Sequence, residues 1–179
     1  MKKVIVFGGA GYCGSLLVPQ LLNDGWEVSI YDKMWYGIDQ FAINSKLHFI
    51  EGDVRDFEFK NCSLVTSIFT LQFIPEVART NIIRQIYDGL NPGGAFIFAE
   101  KTVTECARIN EIRTFTYYDY KREHFTSDDI LNKERQLRHM MKLNTRTELM
   151  NKCATAGFSF QKIESFWQNY GFVAFIAIK

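Results

Sequence analysis

Val4-Ile5-Val6-Phe7-Gly8-Gly9-Ala10-Gly11-Tyr12-Cys13-Gly14 is the stretch on which the fold turns. Four apolar residues without alternation read as a short strand buried on both faces, the kind found in parallel sheets. The glycines permit a tight turn and close backbone approach. A helix is expected from about residues 13–23, ending at Asp24-Gly25. Gly9-x-Gly11-x-x-Gly14 between strand and helix is a setting in which free N–H groups at the helix start receive an anion. The next strand, about 27–31, stops at Asp32, and a third, about 47–50, runs into Gly52-Asp53. A carboxylate about twenty residues beyond the loop is placed to accept from ribose hydroxyls. Asp53 is placed to accept from an adenine amino group. Each feature alone reads equally as a tight turn or a solvated strand end; three in register at adjacent strand ends point to an adenosine site.

Working outward, residues 64–69 read as a fourth strand, and a loop or short helix is expected at about 34–44. Pro75 opens a helix reaching about Leu90, broken by Asn91-Pro92-Gly93-Gly94. Residues 95–99 are a fifth strand, and 105–141 are polar helix and loop. Thr145-x-x-Glu148 is a capping box whose helix ends at Gly157. Residues 158–166 and 172–178, joined by Asn169-Tyr170-Gly171, form an antiparallel hairpin. The expectation is one Rossmann-like, doubly wound α/β domain over residues 1–179, with a mostly parallel seven-stranded sheet ending in a hairpin. Its ligand crevice lies beyond the carboxyl ends of the strands.

Composition narrows the function classes. The chain has 179 residues, 47% hydrophobic and 23% charged, which suits a folded domain and not a disordered one. A net charge of +1 without a basic block gives no electrostatic case for nucleic acid or a membrane surface. No apolar run is long enough to span a bilayer. Met1-Lys2-Lys3 and its apolar sequel lack the length and cleavage site of a signal peptide. Cys13, Cys62, Cys106 and Cys153 stand far apart, which fits a reducing cytoplasm and no metal site.

Two resemblances meet at Gly52-Asp53. Lys3 to Ser15, with Gly8-x-x-Gly11-x-x-Gly14, Tyr31-Asp32-Lys33 and Gly52-Asp53-Val54-Arg55-Asp56, resembles the extended short-chain dehydrogenase/reductase family, notably nucleotide-sugar epimerases. That resemblance implies an NAD-type cofactor, with Gly8, Gly9, Gly11, Tyr12 and Gly14 at its pyrophosphate, Asp32 at the ribose and Asp53 with Val54 at the adenine. From about Glu51 onward, Phe69-Thr70-Leu71-Gln72-Phe73, Leu90-Asn91-Pro92-Gly93-Gly94, Glu100-Lys101, Asp119-Tyr120-Lys121-Arg122 and Ala156-Gly157-Phe158 resemble the carboxy-S-adenosylmethionine synthase family. These are class I methyltransferase-fold enzymes of tRNA wobble-uridine modification. The chain therefore reads as a hybrid, with a dinucleotide-binding-type half at 1–56 and a methyltransferase-type half at 57–179. Ile68 stands where the synthase family has an Asn, and the helical segment that precedes strand one in that family is absent.

The synthase resemblance implies S-adenosylmethionine as cofactor, a small-molecule carboxylate as substrate, no direct nucleic-acid or membrane partner, and a homodimer. It carries the carboxylate-binding role onto Arg122, whose guanidinium suits a bidentate fork. Arg122 reads equally as a surface residue within Lys121-Arg122-Glu123. Tyr118 and His124 are polar neighbours. Tyr117-x-x-x-Lys121 has the spacing of the dehydrogenase acid–base pair, in which the Lys lowers the Tyr pKa. Leu71, Phe73, Ile74, Phe166, Trp167 and Tyr170 are candidates to wall a pocket, and residues 135–142 form a basic run. Three functions stay open: an S-adenosylmethionine-dependent transferase, an NAD-binding dehydrogenase-like protein, and a nucleotide-binding hybrid without turnover.

Overall fold

The computed structural model describes residues 3–179, with Lys3 described by its backbone alone. Met1 and Lys2, which belong to the leader-peptide reading, lie outside the described residues. The apolar run forms β1 (Lys3–Phe7), which pairs in parallel with β2 (Glu27–Asp32), and β2 in turn pairs with β3 (Leu47–Glu51). Helix α1 (Tyr12–Asn23) lays Val18 against Val6, Val28, Ile30 and Leu47 to close a small core. The segment between β2 and β3 contains turns and no helix.

A second ladder holds the larger core. β4 (Cys62–Ile68) pairs in parallel with β5 (Leu90–Val103), which pairs antiparallel with β8 (Phe172–Ile178), and β8 with β7 (Ile163–Asn169). The two-residue β6 (Asn144–Thr145) joins the far end of β5. Helices α2 (Glu76–Gly89) and α5 (Arg146–Ala156) cover one face, with Ile82, Ile83, Ile86, Leu149 and Cys153 fully buried against the sheet. There Phe98 stacks at 4.8 Å on both Phe96 and Phe175. Helices α3 (Ala107–Lys121) and α4 (Ser127–Leu137) sit apart from this core; α3 buries none of its residues and α4 only Ile130.

The expectation of one continuous seven-stranded sheet is corrected. The strands form a three-stranded parallel ladder and a five-stranded mixed one, the fifth strand being β6. β1 and β4 run side by side without pairing. Gly8 turns the chain out of β1 at φ +68°, and a cavity of about 160 Å³ opens between β1, β4 and α1, lined among others by Phe7, Cys13, Leu17, Thr66 and Ile68. Backbone groups on its two sides are not brought into bonding register. Helix α2 ends at Gly89, as expected just before Asn91-Pro92-Gly93-Gly94, but β5 begins at Leu90 and takes in those four residues instead of starting at residue 95. Gly93 at φ +79° absorbs a register shift, its N–H donates to Lys179 O at 3.2 Å, and Lys179 N–H donates to Gly94 O at 3.0 Å. Closing contacts with the last residue, which no local pattern announces, draw the turn residues into the sheet.

The capping box forms as expected: Thr145 accepts from the Glu148 N–H, Glu148 accepts from the Thr145 N–H, and Gly157 at φ +126° ends the helix. The hairpin also forms, but β7 begins at Ile163, because Phe158 is drawn into the core and one 3₁₀ turn (Phe160–Lys162) intervenes. Among the described residues no helix is long and apolar enough to cross a membrane.

Candidate functional site

At the carboxyl end of β1 the glycine loop is closed by its own bonds. Gly8 N–H donates to Tyr31 O and Gly11 N–H to Gly8 O, both at 3.0 Å. A Cβ on Gly14 would strike the Gly9 backbone, so α1 starts directly against the loop. Asp32, at the end of β2, accepts the Ala10 N–H at 3.1 Å on one oxygen and the Met34 N–H at 2.8 Å on the other. Gln40 donates to Ala10 O at 2.9 Å and ties the following segment to the same loop. The structure thus brings Gly8, Gly9, Gly11, Tyr12, Gly14 and Asp32 together. The amides of Gly8, Ala10 and Gly11 are already used, and a carboxylate sits on the loop where an anion was expected. Tyr12 projects into solvent, 88% exposed.

At the end of β3, Asp53 caps a one-turn 3₁₀ helix, Val54–Asp56. Its Oδ1 accepts from Arg55 N–H (3.0 Å) and Nε (2.9 Å), and its Oδ2 from Arg55 Nη2 (2.6 Å) and Lys33 Nζ (2.7 Å). The Arg55 side chain, then Lys33, holds this carboxyl well below the usual range. Its lone pairs are filled, which argues against the expected bond to an adenine amino group. Tyr31 fills the space above Gly52 and donates to Asp53 O at 3.2 Å, so the ends of β2 and β3 are joined. Val54 is half-buried against the main core.

Across the cavity, β4 is followed by Phe69, a non-glycine residue at φ +54°, whose N–H donates to Ala99 O and whose ring meets Phe172 at 5.3 Å. Residues 70–74 beyond it are gripped by a buried network that the sequence reading missed. Glu100 accepts from the N–H groups of Leu71 (3.0 Å) and Gln72 (2.9 Å), and Gln72 Oε1 accepts from Lys101 N–H (2.9 Å). Arg79, also buried, donates to Ile74 O, Gln72 O and Asn144 Oδ1. Burial pushes the Glu100 carboxyl up to about 8, against the pull of those amides and of Arg79. The available signal was Glu100-Lys101 at a strand end, a charge where a buried strand calls for none. Leu71 and Ile74 are core residues, while Phe73, Phe166 and Trp167 are exposed.

Arg122 caps the C-terminus of α3 in solvent, with Nη1 3.0 Å from Asp119 Oδ1. Tyr118, one turn back, is half-buried, and burial raises its pKa. The Tyr117–Lys121 expectation is corrected: Lys121 Nζ lies 4.5 Å over the ring face, and burial raises the Tyr117 pKa rather than lowering it. His124 is exposed.

No family model matches the sequence. Human N-acetylserotonin methyltransferase, solved in complex with SAM, superposes with a TM-score of 0.64 at 18% identity, covering 99% of this chain and 47% of that one. This places the chain in the methyltransferase-like α/β fold class. Carboxy-S-adenosyl-L-methionine synthase of Staphylococcus epidermidis is 36% identical over 160 residues, 87% of this chain and 67% of the relative. The chain belongs to the carboxy-S-adenosyl-L-methionine synthase family. The synthase of Shewanella baltica is 34% identical over 143 residues, 79% of this chain and 58% of that protein, so this chain spans only part of its relatives' length. A match over 87% of the chain reaches into its first 50 residues, and none of these similarities supports a dehydrogenase-type half at residues 1–56.

Proposed function

We propose that this chain is an S-adenosylmethionine-dependent, methyltransferase-like transferase acting on a small carboxylate, its cofactor lying in the crevice between the glycine loop and the end of β4. The observation that carries this reading is the 36% identity to carboxy-S-adenosyl-L-methionine synthase over 87% of the chain. The Asp32 carboxylate, seated on the Ala10 amide at the end of β2, fits a cofactor with a ribose beside the loop. Each Asp32 oxygen spends one lone pair on a backbone amide and keeps another for a ribose hydroxyl. Gly8, Gly9, Gly11, Tyr12 and Gly14 supply the close backbone surface, and Val54 an apolar edge for the adenine. The cavity beside Gly8 and Gly14 has room for several water-sized groups.

When bound, S-adenosylmethionine supplies an activated carbon beside a positive sulfur. The protein's part is to hold donor and acceptor in line and keep water out. Arg122 must leave Asp119 to fork a substrate carboxylate, with Tyr118 beside it. The family resemblance extends the proposal to a cytoplasmic homodimer that serves tRNA modification through a small-molecule product.

Thermal-shift titration with S-adenosylmethionine, S-adenosylhomocysteine and NAD tests the cofactor. A ligand at about a hundred times its Kd adds about 2.7 kcal/mol, a rise of about 5–10 °C for a chain this size. The expected rise is with the first two; a rise with NAD alone overturns the reading. Arg122→Ala is expected to weaken a carboxylated cofactor, and unchanged affinity removes Arg122 from the site.

A further inference from the structure

The turn after β4 has a backbone shape that its own residues disfavour, and a buried carboxylate helps to hold it there. Phe69 stands at φ +54°, a region that a side chain of its bulk rarely adopts. Such a residue persists only where its surroundings over-determine it. On one side its N–H is held by Ala99 O at 2.8 Å. On the other, Glu100 accepts the Leu71 and Gln72 N–H groups, one on each oxygen, at 3.0 and 2.9 Å. Between these anchors lies Thr70, whose Oγ1 is 3.2 Å from the point where a Cβ on Gly8 would stand. The turn is therefore the wall of the crevice that faces the glycine loop, and Glu100 sets its position from a buried seat. A proton on either Glu100 oxygen takes up a lone pair and weakens its hold on one amide. Among the described residues the charged group facing Glu100 is Arg79 of α2, while β8 sets Val173 opposite it. Arg79 is faced in turn by Glu76 and by Glu148 of α5, and Glu76 pairs with Lys152. Three carboxylates thus share two cations, and burial raises the Glu100 carboxyl to about 8.

We propose that Glu100 is a positioning residue of the cofactor crevice: as a carboxylate it holds the Phe69–Gln72 turn against the glycine loop in the shape that receives ligand, and as a neutral acid it lets Phe69 relax and the turn draw back. This rests on the reading of the crevice as the S-adenosylmethionine site. Glu100 acts through the turn and not by contact with ligand. A ligand that selects the held turn sends the Glu100 proton to solvent, so affinity rises with pH until the group is fully ionised.

Calorimetric titration of the full chain with S-adenosylhomocysteine between pH 7 and 8.5 tests it. The Kd of the unmodified protein is expected to fall several-fold over that range, by at most about tenfold per pH unit. Buffers of different ionisation enthalpy are expected to reveal a proton released on binding at pH 7. Glu100→Gln, neutral at every pH, is expected to bind weakly and without this slope, whereas Glu100→Asp retains one. Other groups at the crevice, Cys13 among them, titrate in both proteins, so the difference in slope belongs to Glu100. An affinity of the unmodified protein that is flat with pH, or an equal slope in Glu100→Gln, overturns the proposal. The free protein gives a reading that needs neither variant nor ligand. There the amide resonances of Leu71, Gln72 and Gly8 are expected to move with pH about one common midpoint, and movement of the first two without Gly8 also overturns it. Absence of S-adenosylhomocysteine binding at every pH counts against the cofactor reading, while the resonances still decide whether Glu100 moves the turn.

Discussion

Glu100 carries its carboxyl fully buried, with its pKa raised from 4.5 to about 8 by burial. The native state therefore holds a proton that the unfolded chain gives up above about pH 4.5. The stability tied to this group is complete below that pH, declines as pH rises toward 8, and is lost above it. Urea unfolding of the protein and of Glu100→Gln should differ by a slope of up to about 1.4 kcal/mol per pH unit between pH 5 and 8; parallel profiles would show that Glu100 does not titrate there. Asp32 gives a second prediction. Asp32→Ala strips the acceptor from the Ala10 and Met34 N–H groups, which costs about 1–3 kcal/mol in urea unfolding, while Asp32→Asn, keeping one oxygen, costs less. At this scale the sequence shows which residue stands at a strand end, and Asp32 was legible as such. It does not show what each group touches. Asp32 meets its own loop because Gly8 turns the chain back, and Asp53 is consumed by Lys33 and Arg55, because such pairings are made by turns and not by spacing.

Elements with local signals were read well. The capping box at Thr145 and Glu148, the glycine end at Gly157 and the hairpin turn each depend on a few neighbouring residues, and all three form. Thr145→Ala should cost about 1 kcal/mol, a fall in midpoint of about 2–4 °C for a chain this size. What was missed depends on distant partners. β5 starts at Leu90 because Gly93 and Gly94 bond to Lys179, the last residue. The same lysine reaches back with Nζ to the carbonyls of Tyr87 (2.7 Å), Asp88 (3.2 Å) and Leu90 (2.8 Å), where α2 ends and its dipole is negative. Lys179→Met should lower stability by about 1–2 kcal/mol through the loss of these charged bonds. The effect should persist in moderate salt, because direct hydrogen bonds are screened far less than distant charges. A thermal midpoint unchanged by the substitution would mean that the ammonium adds nothing at the end of α2.

For the molecule as a whole, alternation along the chain correctly implied a layered α/β fold, because each strand and helix must bury one face on the next. It did not reveal that the backbone ladder is interrupted between β1 and β4, since pairing across a switch point leaves no local trace. The interruption has an energetic consequence. β1, β2, β3 and α1 close over the small core of Val6, Ala10, Val18, Val28, Ile30 and Leu47. The other strands share a far larger one around Phe96, Phe98 and Phe175. No ladder bonds tie the two, so opening the first unit exposes less apolar surface and breaks fewer bonds than opening the second, and separate opening units are expected. Hydrogen exchange should show the amides of Val28 and Ile30 exchanging through a lower-energy opening than those of Phe96, Phe98 and Phe175. A ligand in the proposed crevice would touch the glycine loop of the first unit and the β4 end of the second. S-adenosylhomocysteine should therefore raise protection most at Val28 and Ile30, narrowing the gap between the two classes. One uniform protection class in the free protein, or equal gains in both units on ligand binding, would show that packing alone couples β1 to β4 as firmly as a ladder does.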